Sequence, residues 1–180
     1  QEGLFQHFKL IAESVSIDQI LYNVPGRTAV DMSVDTTSRL SEISNIIGIK
    51  DATGDLSVIK ELVAKCPEDF LLLTGDDATA IDFLLLGGHG GISVTANVTP
   101  KELQKAYLAA IAGNSELANK LNEGLSGLHK NLFIESNPIP VKWALHKMGL
   151  CDSGIRLPLL ELSNECKAVL QNDLKELNLI

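Results

Sequence analysis

Lys50 ends an apolar run, Asn45-Ile-Ile-Gly-Ile-Lys50, that reads as a β-strand. Alternation along a strand puts Lys50 on the same face as Gly48, whose missing side chain is expected to leave open space beside the lysine stem. An ammonium in so dry a position loses hydration, which favours the neutral amine. A neutral lysine amine attacks a carbonyl carbon and forms a Schiff base. The same spacing also fits a lysine that snorkels out at a strand end. Tyr22 ends the preceding apolar run, Gln19 to Asn23, in the equivalent place. Adjacent strands lie ~4.8 Å apart, so Tyr22 and Lys50 can project into one pocket. A phenol beside a forming Schiff base relays protons. A tyrosine that packs its ring on the core with its hydroxyl at the rim gives the same pattern.

Arg27 follows in Val24-Pro25-Gly26-Arg27-Thr28. A rigid Pro-Gly turn carrying one arginine suits bidentate binding of a carboxylate, although a solvated surface arginine fits equally. Gly87-Gly88-His89-Gly90-Gly91 has the composition of a phosphate loop. Its order is wrong, because it ends a helical stretch and precedes a strand, whereas a dinucleotide fingerprint does the reverse. It therefore reads as a helix stop and a tight turn. Asp76 and Asp77 precede a helix and suit an N-cap better than a metal. His7, His129 and His146 sit on helices without a partner motif.

The elements that must position these residues alternate. Strands read at Gln19–Asn23, Asn45–Lys50, Asp69–Thr74 and Gly91–Thr95, with helices at Ser33–Ile43, from Leu56, and at Ala78–Leu86. The βα spacing is that of parallel crossover units. The runs are near-continuously apolar, the pattern of strands buried on both faces. From Thr99-Pro100, an N-cap with proline at N1, only helices follow: Lys101–Ala112, Asn114 to about Phe133, Val141–Met148 and Ser163 to about Leu177. Four βα units fit either a doubly wound open sheet or half of a (β/α)8 barrel. In both, the loops after the strands share the C-terminal edge of the sheet, where active sites lie.

Composition narrows the partners. The chain has 180 residues, 45% of them hydrophobic, with 15 Lys+Arg against 23 Asp+Glu and a net charge of −8. That is globular composition without a basic patch, so nucleic acid and anionic membrane surfaces are not expected partners. No apolar stretch reaches the ~18 residues of a membrane span, and no signal peptide reads at the start. Cys66, Cys151 and Cys166 are widely spaced and read as reduced thiols in the cytoplasm. The chain opens without Met, directly in a helix bearing Leu4, Phe5, Phe8, Ile11 and Ala12 on one face, which suggests a piece of something longer.

Taken together, Tyr22-Asn-Val-Pro-Gly-Arg27-Thr, Gly48-Ile-Lys50-Asp-Ala-Thr-Gly54, Thr74-Gly-Asp-Asp77, Gly87-Gly-His-Gly-Gly-Ile-Ser-Val-Thr-Ala-Asn97 and Asn137-Pro-Ile-Pro-Val-Lys142 resemble the dihydrodipicolinate synthase family. The resemblance covers essentially the whole chain. It implies the C-terminal half of a (β/α)8 barrel over residues 1–98, with strands five to eight of the parent, and an all-helical domain over 99–180. It implies a lyase that condenses pyruvate with aspartate semialdehyde in lysine biosynthesis, in the cytoplasm, as a homo-oligomer and without cofactor or metal. By resemblance Lys50 forms the Schiff base, Tyr22 relays protons and Arg27 holds the semialdehyde carboxylate. The backbone of Ile92 lines the pyruvate site, and Gly75 lies beside the substrate. N-acetylneuraminate lyase and its relatives share the Tyr and Lys but generally lack the arginine. The family's paired threonines, its tyrosine contributed across the dimer and its lysine regulatory site fall outside this sequence. The chain is thus expected to be either a piece of an active lyase or a catalytically inactive assembly fragment.

Overall fold

The computed structural model describes residues 1–180. Four parallel strands, β1 (Gln19–Asn23), β2 (Ile46–Asp51), β3 (Leu71–Thr74) and β4 (Gly90–Gly91), lie in the order β1-β2-β3-β4. That sequential order lacks the reversal that defines a doubly wound sheet. Helices α1 (Glu2–Ser14), α2 (Pro25–Thr28), α3 (Val34–Ser41), α4 (Leu56–Lys65) and α5 (Ala80–Leu85) precede or connect the strands. Beyond β4 come a single 3-10 turn at Thr95–Asn97 and five helices: α6 (Pro100–Ile111), α7 (Ser115–Glu123), α8 (Ser126–Asn131), α9 (Ile139–Lys147) and α10 (Asn164–Glu176). No helix is long and apolar enough to cross a membrane.

Local chemistry sets the helix starts. Ser33, Asp55, Asn114 and Ser163 accept hydrogen bonds from the backbone N–H groups of Thr36, Ser57, Leu117 and Cys166, which capping side chains satisfy when the first turn has no intrahelical partner. Thr99 and Pro100 open α6 as the sequence suggests. The expected helix from Asn114 to Phe133 is two helices. Gly124 closes α7, and the Leu125 N–H bonds to the Asn122 carbonyl at 2.9 Å, which tightens the turn and drives Leu125 into the core.

The sheet is covered on one face only, which corrects the expectation of burial on both. Leu21, Ile49 and Leu72 are at most 3% exposed and pack with Leu40, Ile59, Leu62 and Phe83 from α3, α4 and α5. Their neighbours on the opposite face stay open: Ile20 is 43%, Tyr22 47% and Leu71 36% exposed. A second core joins Val98 to α8, α9 and α10 through Leu128, Leu132, Leu170 and Leu174. A third sets Ile81 and Leu84 of α5 against Ala106, Ala109, Ala110 and Ala118 of α6 and α7. The helices after residue 99 therefore share apolar packing with the sheet layer.

Two glycine expectations change. Gly48 leaves no open space beside Lys50. A Cβ there would lie 2.6 Å from the Leu71 carbonyl oxygen and 2.7 Å from its Cβ, so Gly48 lets β3 approach β2. β4 is only two residues long, not Gly91–Thr95, because a buried carboxylate captures the backbone beyond it. Asp77 Oδ2 accepts the N–H of Val94 at 3.1 Å and of Thr95 at 3.0 Å, which turns the chain out of the ladder.

Gly48→Ala is expected to destabilise the fold by about 1–3 kcal/mol, the usual cost of forcing extra volume into a packed site. Urea unfolding checks this, and an unchanged midpoint would show that β3 can move aside.

Candidate active site

The β1–β2 ladder pairs Tyr22 with Lys50 and Asn23 with Asp51. Strand alternation then divides these two rows between the two faces. Tyr22 and Lys50 project from the open face. Lys50 Nζ lies 4.1 Å from the centroid of the Tyr22 ring, where the π-face attracts the ammonium. Lys50 is half-buried rather than dry. Gly75, one residue past β3, lies against its stem. A Cβ at Gly75 would come within 2.6 Å of Lys50 Cε and 2.9 Å of the Ala52 Cβ, so glycine is what lets the lysine lie across the sheet edge. The Gly75 N–H donates to the Asp51 carbonyl at 2.6 Å, which pins this loop to β2.

Beneath the pair, on the covered face, runs a polar brace that the sequence reading did not single out. Asn23 Nδ2 donates to Asp31 Oδ1 at 2.8 Å and to Asp51 Oδ2 at 3.0 Å. Asn23 Oδ1 accepts the Met32 N–H at 3.1 Å, and Asp51 Oδ1 accepts from the backbone and hydroxyl of Thr53. Asn23 and Asp51 are both 4% exposed, so these bonds satisfy groups that water cannot reach. The brace fixes the ends of both strands directly behind Tyr22 and Lys50.

The remaining expected residues follow the C-terminal ends of the outer strands. Arg27 sits in α2, a single helical turn with Pro25 at its start and Ala29 at φ +56° closing it, rather than in a Pro-Gly turn. Its side chain is exposed, and the five ion pairs of the molecule leave it free. Ile92 is 49% exposed, and its N–H donates to the Thr74 carbonyl at 2.9 Å. The structure thus brings Tyr22, Lys50 and Gly75 into one cluster, with Arg27 and Ile92 on flanking loops of the same sheet edge.

The loop carrying Ile92 is tied to the helices by a chain of buried groups. Asp76 is not the N-cap of α5, which is Thr79; its carboxylate accepts the N–H and hydroxyl of Thr79 in the loop just before the helix. Asp77 does not cap a helix. It is 2% exposed and holds the backbone of Val94 and Thr95. Thr95 Oγ1 lies 3.2 Å from Asp77 Oδ2 and 2.9 Å from His129 Nδ1, and His129 Nε2 lies 3.0 Å from Asn122 Oδ1. An amide oxygen facing Nε2 selects the Nε2–H tautomer, so the single Thr95 hydroxyl proton goes to Nδ1. Tyr107 stacks in close by, because Gly91 has no Cβ to meet its ring 2.8 Å away. Burial, reinforced by the Asp77 charge, pushes the Tyr107 phenol above its ordinary range. His129 carried no motif in the sequence. Its signal, a histidine on a helix face otherwise occupied by Leu125, Leu128 and Leu132, is one that core histidines share.

A parallel sheet of sequential strand order, with a tyrosine and a lysine paired at its C-terminal edge, is a class of α/β protein that places reactive groups at strand ends. The family model described as the dihydrodipicolinate synthetase family matches residues 1–177, and the chain belongs to that family. It is 63% identical over all 180 residues to the 4-hydroxy-tetrahydrodipicolinate synthase of Ruthia magnifica subsp. Calyptogena magnifica, and covers 61% of that protein. It is 57% identical to the synthase of Laribacter hongkongensis, covering 100% of this chain and 62% of that one. Among solved structures, the chloride-inhibited dihydrodipicolinate synthase of Acinetobacter baumannii, complexed with pyruvate, superposes with a TM-score of 0.96 at 53% identity, over 99% of this chain and 62% of that one. The Aquifex aeolicus enzyme matches with a TM-score of 0.96 at 43% identity, over 99% of this chain and 61% of that one. The chain therefore spans about three fifths of the length of these relatives.

The His129 network carries a pH dependence. Burial pulls the imidazole below its ordinary value, against the opposing charges of Asp77 and Asp76. With the folded pKa lowered, the unfolded chain takes up the proton first as pH falls. The network's contribution is whole above about pH 6.5 and is lost as pH drops below it. Urea midpoints measured from pH 7.5 to 5.5 are expected to fall more steeply for the natural chain than for His129→Gln. Parallel slopes would show that His129 is not held neutral.

Proposed function

We propose that this chain supplies the Schiff-base half of a lyase of lysine biosynthesis that condenses pyruvate with aspartate semialdehyde to 4-hydroxy-tetrahydrodipicolinate, the compound its relatives are named for making. The observation that carries the reading is the Tyr22–Lys50 register pair on the uncovered face, with Gly75 against the lysine stem. In this reading residues 1–98 are the last four βα units of a (β/α)8 barrel, and residues 99–180 are its helical domain. Sequential strand order, helices on one face and an open opposite face all support it. The open face would be the barrel interior.

The chemistry follows from the residues. Lys50 Nζ gives up a proton and attacks the ketone carbon of pyruvate, and the carbinolamine loses its hydroxyl as water to give the imine. The Tyr22 hydroxyl carries protons to and from that centre. Loss of a methyl proton gives an enamine, whose carbon attacks the aldehyde carbon of the second substrate. Arg27, free of internal partners, binds that substrate's carboxylate. The Ile92 backbone and Gly75 line the pyruvate side. An arginine at position 27 favours this reading over N-acetylneuraminate lyase. The reaction draws on no cofactor.

Incubation with pyruvate and borohydride, followed by mass spectrometry of peptides, tests the assignment. A reduced adduct on Lys50 is expected, and it disappears in Lys50→Ala. An adduct of equal yield in that variant would remove Lys50 from the chemistry. The absence of any adduct on the natural chain would favour the inactive assembly fragment. In a chain completed with the family's N-terminal half, Arg27→Ala is expected to weaken use of the semialdehyde roughly 10–150-fold more than use of pyruvate. Equal losses would make Arg27 structural.

We also propose that the 180-residue chain self-associates. The open face exposes Ile20, Leu71 and Ile92, and β1 and β4 are sheet edges. Light scattering over a dilution series is expected to show species larger than 19.4 kDa. A folded monomer at micromolar concentration would contradict this.

A further inference from the structure

The best-formed cavity lies away from the sheet edge. It lies between α9, α10 and the 153–162 segment, with a volume of about 410 Å³. That is the size of a small-ligand site. The buried Ile139 and Leu162, with Trp143, give it apolar walls. Lys142, Lys147 and Lys167 line it, against one carboxylate, Glu161. Three cations to one anion reverses the balance of a chain that carries 23 acidic and 15 basic residues. Glu161 is already engaged, with Oε2 3.4 Å from Lys167 Nζ. Lys142 and Lys147 take part in none of the five ion pairs. Lys147 Nζ stands 5.7 Å from the centroid of the Trp143 ring, so its charge is held over the apolar wall.

We propose that this cavity binds a small organic dianion, with two carboxylate groups on a compact apolar body. Two lysines without ion-pair partners line one concavity, Lys147 at its exposed rim, and leave a positive field that an anion neutralises. Lysines bind as point charges without the planar fork of arginine, so they accept carboxylates at varied angles. The apolar walls add burial that a bare inorganic anion cannot use. None of these residues belongs to the Tyr22–Lys50 cluster, so the site stands independently of the reaction proposed there.

Trp143 is the only tryptophan of the chain, which makes its emission a direct readout. Cyclohexane-1,3-dicarboxylate, inorganic phosphate and cyclohexanemethanol are titrated into the natural chain. A saturable change is expected with the dicarboxylate, a weaker affinity with phosphate and no saturation with the alcohol. Lys142→Gln and Lys147→Gln are each expected to weaken dicarboxylate binding roughly tenfold, the scale of one charge-assisted hydrogen bond. Added sodium chloride weakens binding to the natural chain itself, which tests the charge without a variant. An unsaturable signal, or dicarboxylate binding indifferent to salt and to both lysines, would overturn the site. Phosphate or the alcohol binding as tightly as the dicarboxylate would overturn the ligand class.

Discussion

The register of one strand pair governs the site. In a parallel ladder a shift of one residue moves every side chain to the opposite face. Tyr22 opposite Lys50 puts both on the open face, and the same register puts Asn23 opposite Asp51 on the covered one. The second pair secures the first. Asn23 ties together Asp31, Asp51 and the backbone at Met32, which leaves the strand ends no freedom to slip. Such buried polar groups are costly to leave unpaired, so a slipped register would lose the brace as well as the apolar packing of Leu21, Ile49 and Leu72. Two glycines permit the arrangement. Gly48 admits Leu71 close to β2, and Gly75 admits the Lys50 stem.

A second buried carboxylate connects this edge to the helices. Asp77 ends β4 early by holding the N–H groups of Val94 and Thr95, and Thr95 passes the contact to His129 and Asn122. The loop bearing Ile92 is thereby fixed from the helical side. The alanine-rich contact of α5 with α6 and α7 brings those helices close enough for the connection to span. The helical part acts on the sheet edge through this route, while its own cavity faces elsewhere.

Much of this was legible in the sequence. The strands ending at Asn23 and Thr74, the strand read to Lys50 that runs one residue further to Asp51, and the helices from Ser33, Leu56 and Thr99 follow from periodicity and capping chemistry that act locally. The Tyr22–Lys50 pairing followed from their equivalent places in adjacent strands. What was not legible depends on contacts distant along the chain. The burial of Asp77 cannot be read from an Asp-Asp pair before a helix, and it is what shortens β4. Apolar runs do not by themselves distinguish a sheet covered on both faces from one covered on a single face, and the exposure of Ile20 and Leu71 follows from which helices pack where. Gly48 read as open space because the approach of Leu71 is a property of the next strand.

The central claim is that the open face of the sheet, at the Tyr22–Lys50 pair, is where a carbonyl substrate is held covalently. A crystal structure of the chain after treatment with pyruvate and borohydride tests it most directly. The expected result is a carbon–nitrogen bond at Lys50 Nζ, with the pyruvate carbons lying on the open face between Tyr22 and Gly75. Electron density that leaves Lys50 unmodified and places the pyruvate carbons on another lysine would contradict the account.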